Sequence, residues 1–132
     1  MNFKKHIWSC PAEYKDLSHA REIAIDLETR DDGISSGQGA GWATGKGNII
    51  GFAVAVEGWQ GYYPFAHFGG GNMIPDQVRK YIKDVCALPC PKIFHNAQYD
   101  VGWLEQEGFK INGEIIDTMI AAAIVDENRF SY

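Results

Sequence analysis

The sequence is poor in cysteine, has no long apolar run and carries no excess of positive charge, and each shortage excludes a class of protein. Its 132 residues include 3 cysteines, and 17 acidic against 12 basic side chains give a formal net charge of −5. Three thiols cannot all pair with one another, so reduced and mostly buried thiols are expected. An acidic chain does not grip nucleic acid through diffuse positive charge, although it can reach it through bound cations.

No stretch of the chain is long enough to cross a bilayer. The longest apolar run, residues 115–125, is interrupted by Asp117 and is shorter than a membrane span requires. Lys4 and Lys5 near the N-terminus are not followed by an apolar stretch, so no secretory signal is expected. With 45% hydrophobic and 22% charged residues, residues 1–132 are predicted to form a single globular domain, in the cytoplasm.

The cysteine spacing leaves one alternative open. Cys86 and Cys90 are separated by three residues, whereas a zinc knuckle usually has two. A zinc site built from Cys10, Cys86, Cys90 and a histidine is the alternative, but the second ligand pair of a zinc ribbon is missing.

Hydrophobic periodicity predicts a mixed α/β fold in the order β-β-β-α-β-α-β-α. Residues 57–61 form a short glycine-bearing link, so the second and third strands are expected to form an antiparallel hairpin. Three antiparallel strands followed by alternating helices and strands indicate a mixed sheet flanked by helices. The predicted elements are strands at 22–28, 49–56, 61–65, 91–95 and 114–116, and helices at 74–85, 97–107 and 117–126.

Two segments are rich in glycine, residues 33–47 and residues 69–72. The first invites a nucleotide-binding interpretation, but it fits neither a Walker loop nor a dinucleotide fingerprint. We therefore predict that it is a flexible surface loop between strands.

The first strand carries two acidic residues on one face. Asp26 and Glu28 are two positions apart, so their side chains point to the same side of the sheet. Two carboxylates at the end of a core strand repel each other, and a divalent cation between them would relieve the repulsion. The alternative is that both emerge into solvent where the strand ends.

A second polar group follows the fourth strand. Asn96 is predicted to be a helix N-cap, and Asp100, four residues later, shares its helix face and would project toward Asp26 and Glu28. Three oxygen donors of this kind suit Mg²⁺ or Mn²⁺ better than zinc. Asp117 interrupts an apolar run and is predicted to be a helix N-cap with an orienting role at the site.

Five short motifs occur in a fixed order across about residues 22–124. They are Ile23-Ala-Ile-Asp26-Leu-Glu28-Thr29, Gly51-Phe-Ala-Val, Tyr63-Pro-Phe-Ala-His67, His95-Asn96-Ala-Gln-Tyr99-Asp100 and Asp117-Thr-Met-Ile-Ala-Ala. Together they resemble the 3′-5′ exonuclease domain of family A (polymerase I type) DNA polymerases. These domains are DEDD, or DnaQ-like, exonucleases with a ribonuclease H-like fold.

The resemblance implies a two-metal nuclease site. Asp26, Glu28 and Asp100 would be the catalytic and metal-binding residues for two Mg²⁺ or Mn²⁺ ions, one activating a water and the other steadying the leaving 3′ oxygen. The substrate would be the 3′ end of single-stranded DNA, and a polymerase domain in the same parent chain would make the activity proofreading during replication in a bacterial cell or phage-infected host. The residues expected to line the substrate cleft are Leu27, Phe65, His67, Asn96 and Tyr99. For His67 and Tyr99, the alternative is a structural role in the core. The sequence also leaves open whether the substrate is DNA or RNA.

One part of the family pattern is missing. The third motif, a Tyr or His followed by the fourth metal-binding Asp, has no counterpart after Asp117, and the sequence ends at Tyr132. The resemblance therefore implies the N-terminal part of a longer domain, truncated at its C-terminus, with self-association expected through the apolar surface that truncation leaves. A catalytically incomplete nucleic-acid-binding or structural module of the same fold is the alternative function.

Overall fold

The computed structural model describes residues 9–128, within which five strands join into one sheet. In chain order the elements are β1 (Ile23–Asp31), α1 (Asp32–Ser35), α2 (Gly41–Thr44), β2 (Gly47–Val56), β3 (Trp59–Pro64), α3 (Pro75–Ala87), β4 (Lys92–Phe94), α4 (Ala97–Gln106), β5 (Ile115–Asp117) and α5 (Thr118–Val125). Residues 1–8, which contain most of the N-terminal segment that is not expected to be a secretory signal, lie outside the described residues. Residues 129–132, up to Tyr132, also lie outside them.

The sheet is mixed, with strand order β3-β2-β1-β4-β5. β1, β2 and β3 pair antiparallel, while β4 pairs parallel with both β1 and β5. The predicted α/β class, the three antiparallel strands at the start and the β2–β3 hairpin are all confirmed. The hairpin link is shorter than predicted, because β3 begins at Trp59, and Gly58 supplies the positive φ of 79° in the turn.

One face of β1 belongs to the core. Ile23, Ile25 and Leu27 are buried, whereas Asp26 and Glu28, which alternate with them, are exposed on the other face. The apolar stripe of α3 and the two residues Trp103 and Leu104 of α4 belong to the same cluster. Burial of such side chains stabilises the fold by about 1.5–3 kcal/mol each. The core thereby fixes α4 against the sheet.

The prediction of a flexible loop at residues 33–47 is wrong. The segment contains α1 and α2, and it is closely packed: a Cβ on Gly33 would lie 2.5 Å from the carbonyl oxygen of Gly39. A Cβ on Gly102 would likewise lie 2.5 Å from the ring of Trp42, so α2 rests directly on α4. The glycines permit close backbone approach in a packed segment, a role that local composition does not distinguish from flexibility.

A buried lysine ties two loops together. Lys92 of β4 is fully buried, and its Nζ donates hydrogen bonds to the carbonyl oxygens of Leu88, Cys90 and Asn112. These partners satisfy all three donors of the ammonium group, which is the condition for burying it. The loops before β4 and before β5 are therefore held at one point.

α5 leaves its apolar side chains exposed. Ile124 and Val125 are 81% and 87% exposed, and no side chain of this helix is buried. Self-association through apolar surface stays a prediction. Within residues 9–128, no helix combines the length and the hydropathy needed to span a membrane.

Candidate nuclease site

β1 delivers the first two carboxylates to an open face of the sheet. In the antiparallel register Asp26 lies opposite Ala53 and Glu28 lies opposite Gly51, so small residues flank both carboxylates on β2. The register shifts between Glu28 and Thr29, which marks a bulge directly after the acidic pair. The predicted shared face of Asp26 and Glu28 is confirmed.

α4 delivers the third carboxylate from a buried position. Asp100 is only 4% exposed, because it lies one turn before Trp103 and Leu104 on the inward side of the helix. Its carboxylate accepts a hydrogen bond from the backbone N–H of Leu27, while its Oδ2 is buried with no hydrogen-bond partner in the described chain. A buried carboxylate oxygen without a donor is costly unless something cationic meets it.

The neighbouring negative charges affect the ionisation of Asp100. Burial, and next the negative charge of Asp26, raise the pKa of Asp100 to about 7, with smaller contributions from Asp117 and Glu28. Neighbouring carboxylates of like charge disfavour one another's ionisation, and a divalent cation bound between them would relieve this repulsion. The unsatisfied Oδ2 of Asp100 and the all-oxygen donor set are chemically suited to such an ion.

The carboxylates do not form a closed coordination shell. Among residues 9–128, no three His, Cys, Asp or Glu side chains are grouped closely enough to hold a metal ion. Cys10, Cys86 and Cys90 are free thiols, and Cys86 is buried. The expected convergence of Asp26, Glu28 and Asp100 into one metal-binding group is therefore not seen in the described residues, although these three carboxylates are the oxygen donors that an ion could bind there.

Asp117 is a cap for two helices. Its carboxylate accepts from the backbone N–H of Met119 at 2.9 Å in α5, and from those of Asn96 at 3.0 Å and Ala97 at 2.9 Å where α4 begins. Burial acts to raise the pKa of Asp117, but these hydrogen bonds outweigh it and lower the pKa. The predicted cap is confirmed, and it reaches across to the helix that carries Asp100.

Asn96 does not cap α4 with its side chain, contrary to expectation. It occupies the N-cap position in the left-handed conformation, with φ of 66° and ψ of 62°, and its side chain makes no capping hydrogen bond. Asp117 supplies that hydrogen bonding instead. Non-glycine residues held in this region often occur at functional sites, and Asn96 lines the cleft described next.

A broad cleft of about 1010 Å³ runs across the open face of the sheet. Of the residues predicted to contact substrate, Leu27, Asn96 and Tyr99 line this cleft, although Leu27 is also buried in the core. His67 lies in a smaller adjoining pocket, while Phe65 is buried in the core and is absent from both walls. Neither pocket is lined by a Lys or Arg of the described chain.

Tyr99 is linked to a residue that the sequence reasoning missed. Its hydroxyl lies 2.9 Å from Oγ1 of Thr29 and 2.8 Å from Oδ2 of Asp31. Asp31 also accepts from the backbone N–H groups of Ile34 and Gly41, and so anchors the α1–α2 segment beside the cleft. An acidic residue three positions before a backbone N–H of a glycine-bearing turn is a capping signal, because its carboxylate can accept a hydrogen bond from that N–H, and this signal could have revealed the role.

Tyr62 was also missed. It lines both pockets, and its hydroxyl is hydrogen-bonded to Nε2 of His67. The alternation of β3 could have indicated this, because its neighbour Tyr63 is buried in the core and Tyr62 must therefore face the other side.

Comparison with known proteins identifies the family. The sequence profile of the 3′-5′ exonuclease domain of A-type DNA polymerases matches residues 11–132. A DNA-directed DNA polymerase of Pseudomonas phage M6 is 32% identical in an alignment of 118 residues that covers 86% of this chain and 18% of the phage protein. The solved structure of the POL domain of Pol1 from M. smegmatis, in complex with DNA primer-template and dNTP, matches with a TM-score of 0.56 and 18% sequence identity. The match covers 87% of this chain and 18% of the M. smegmatis chain, and it shows a shared fold.

The chain belongs to the 3′-5′ exonuclease family of A-type DNA polymerases. The predicted resemblance is thereby confirmed, and the mixed sheet is consistent with the ribonuclease H-like exonuclease fold. The chain spans 18% of the length of these polymerase relatives. The family is one of 3′-5′ exonucleases, and membership implies dependence on a divalent metal.

Proposed function

We propose that this chain is the two-metal 3′-5′ exonuclease module of a DNA polymerase, hydrolysing phosphodiester bonds at the 3′ end of single-stranded DNA in proofreading. The observation that carries the proposal is the buried, unpartnered Oδ2 of Asp100 beside Asp26 and Glu28. In this proposal, residues 1–132 are a single exonuclease-like domain forming the N-terminal part of a longer one, with a polymerase domain in the same parent chain.

The charge of the cleft supports cation-assisted binding. The chain has a net charge of −5, and the described cleft walls contain no Lys or Arg that could receive a phosphate. An anionic substrate can approach three carboxylates only if cations neutralise them. Asp26, Glu28 and Asp100 would hold Mg²⁺ or Mn²⁺, which supplies Lewis-acid stabilisation of the phosphoryl oxygens and a nucleophilic water.

The remaining predicted site residues either contact the substrate or hold the site in place. Asn96 and Tyr99 on the cleft wall are proposed to contact the terminal nucleotide, with Leu27 at the base of the cleft and His67 in the adjoining pocket. Phe65 is buried in the core and lines neither pocket, so it is not among the proposed contacts. Asp117 orients α4, and hence Asp100, through its hydrogen bonds to the first turn of that helix.

A second candidate is a module of the same fold that binds nucleic acid without cleaving it. It is favoured by one observation, the lack of a ready-made three-ligand metal cluster among residues 9–128. Such a module would bind single strands and release no product.

The test is cleavage of a 5′-labelled single-stranded DNA oligomer by the purified chain with Mg²⁺ or Mn²⁺. Stepwise 3′ shortening is expected, and a chelator or Asp26→Ala should abolish it. Asp76→Ala, which removes an exposed carboxyl from α3, is the matched control and should cleave normally. Shortening that survives Asp26→Ala would contradict the proposal, and a folded chain that binds the oligomer without shortening it would support the second candidate.

A further inference from the structure

Asp31 is a carboxylate that belongs neither to the proposed metal ligands nor to the proposed substrate contacts. It ends β1 and accepts hydrogen bonds from the backbone N–H of Ile34 at 2.9 Å, the backbone N–H of Gly41 at 2.9 Å and the hydroxyl of Tyr99 at 2.8 Å. The first two donors belong to the α1–α2 segment, whereas Tyr99 belongs to α4 and lines the cleft. Asp31 therefore joins a residue of the cleft wall to the segment beside it.

The hydrogen bonds around Tyr99 have a fixed direction. Burial acts to raise the pKa of Asp31, but hydrogen bonds from backbone N–H groups and from Tyr99 outweigh it and lower the pKa, so the ionised carboxylate only accepts. The phenol of Tyr99 has a single proton, and it donates this proton to Oδ2 of Asp31. Oγ1 of Thr29, 2.9 Å from the phenol oxygen, is then the donor in the second hydrogen bond of Tyr99.

The α1–α2 segment keeps Asp31 in place. Both carboxylate oxygens accept from the N–H of Gly41, and a Cβ on this glycine would lie 2.6 Å from Oδ1 of Asp31, so the absence of a side chain permits the close approach. Trp42, the next residue, packs on Gly102 of α4, three residues after Tyr99. The segment that holds Asp31 is therefore packed on the helix that carries Tyr99.

The committed proton decides what Tyr99 offers to a substrate. Phosphate oxygens accept hydrogen bonds, and the phenol has no second proton to donate to them. The aromatic ring is what Tyr99 presents on the cleft wall, and nucleic-acid bases stack on such rings in single-strand binding sites. A mobile tyrosine loses rotamer freedom when a base packs on it, and hydrogen bonds formed beforehand reduce that loss.

We propose that Asp31 is a positioning residue, which holds Tyr99 so that the ring, and not the hydroxyl, contacts the terminal nucleotide of the substrate. The proposal rests on the proposed function, because a fixed ring on the cleft wall matters for binding only if single-stranded DNA enters the cleft. It gives Asp31 a role beyond that of the N-cap of α1, which the hydrogen bond from Ile34 already defines.

The first test needs neither metal nor DNA. In NMR spectra, a tyrosine held in one rotamer has one large and one small coupling between its α proton and its two β protons, whereas rotamer exchange makes the couplings similar. Asp31→Ser keeps a capping oxygen for α1 but is too short to reach Tyr99 as well, so it should make the couplings of Tyr99 converge. Asp32→Ser, which changes the exposed neighbouring carboxyl, is the matched control and should leave them unchanged. Unchanged couplings in Asp31→Ser would overturn the proposal.

The second test asks whether Asp31 acts through the hydroxyl of Tyr99. Cleavage of a 5′-labelled single-stranded DNA oligomer with Mg²⁺ gives KM and kcat for wild type, Asp31→Ser, Tyr99→Phe and the double variant. Each single change breaks the same hydrogen bond, so each should raise KM roughly three- to tenfold and change kcat by less than about twofold. The double variant should have the KM of either single variant. Rises in KM that multiply in the double variant would overturn the proposal.

Asparagine separates positioning from helix capping. Asp31→Asn keeps the capping oxygen, and its amide nitrogen can donate to the phenol oxygen while the phenol donates its proton to Thr29. Its KM should therefore stay within about twofold of the wild type, unlike that of Asp31→Ser. Serine and asparagine are similarly good N-caps, so a role limited to capping predicts equal KM values for the two variants, and that result would overturn the proposal. If the wild-type chain cleaves no DNA, the nuclease function fails, and the NMR comparison still decides whether Asp31 holds Tyr99.

Discussion

Replacing Asp100 by asparagine should stabilise the metal-free protein at pH 8. The folded state buries this carboxyl beside Asp26, and its pKa rises to about 7 from an ordinary value of 3.8. Asparagine keeps an oxygen for the backbone N–H of Leu27 and cannot ionise. The substitution therefore removes an electrostatic penalty while keeping that hydrogen bond.

The magnitude follows from proton linkage. Between pH 4 and pH 7 the unfolded chain ionises Asp100 while the folded chain holds the proton, so the free energy of unfolding falls as the pH rises through this window. A pKa difference of about three units corresponds to at most about 4 kcal/mol. The contribution is fully present below about pH 4 and is lost above about pH 7.

The assay is urea unfolding followed by circular dichroism from pH 4 to pH 8, with chelator present. The wild type should lose stability relative to Asp100→Asn across this range, and Asp76→Asn, which alters an exposed carboxyl of α3, should follow the wild type. Adding Mg²⁺ at pH 8 should stabilise the wild type and not Asp100→Asn. Parallel pH profiles for wild type and Asp100→Asn would refute the assignment of Asp100 as a strained, buried carboxylate.

Two further predictions concern side chains that hold the framework of the site. Asp117→Ala removes the acceptor for backbone N–H groups in both α4 and α5 and should lower the free energy of unfolding by about 2 kcal/mol in urea titrations, since each of the two caps is worth about 1 kcal/mol. A change below about 0.5 kcal/mol would show that the caps are replaceable. Lys92→Met leaves three loop carbonyls without their donor and should lower the free energy of unfolding by about 2–4 kcal/mol. The control Lys80→Met, which changes an exposed lysine, should leave it almost unchanged, and equal unfolding midpoints for the two variants would contradict the role given to Lys92.

Local patterns were sufficient for most of the framework. Alternation in β1, the short link before β3 and the helical spacing of α3 are properties of neighbouring residues, and they predicted these elements to within a few positions. The shared face of Asp26 and Glu28 follows from the two-residue period of a strand. The order of the motifs then indicated the family that the comparisons confirm.

Contacts between segments that are distant in the sequence could not be predicted from such local patterns. The α1–α2 segment looks flexible by its glycine content, yet Asp31 and the packing of Trp42 on Gly102 give it a fixed structure. Asn96 has the residue type of an N-cap, but the capping carboxylate comes from Asp117, 21 residues later at the end of β5. Neither arrangement can be predicted from neighbouring residues, because each depends on a contact with a segment that is distant in the sequence and close in the fold.

The sequence by itself determined the five strands, the helices α3, α4 and α5, the acidic strand face and the family, because these depend on residue types at short, regular spacings. Only the tertiary structure decided that Asp100 is buried with an unsatisfied oxygen, that Tyr99 donates its hydroxyl proton to Asp31, and that Phe65 stays in the core. Burial and through-space charge are set by the packing of segments far apart in the chain, so the chemistry of this site emerges only when α4 is packed against β1.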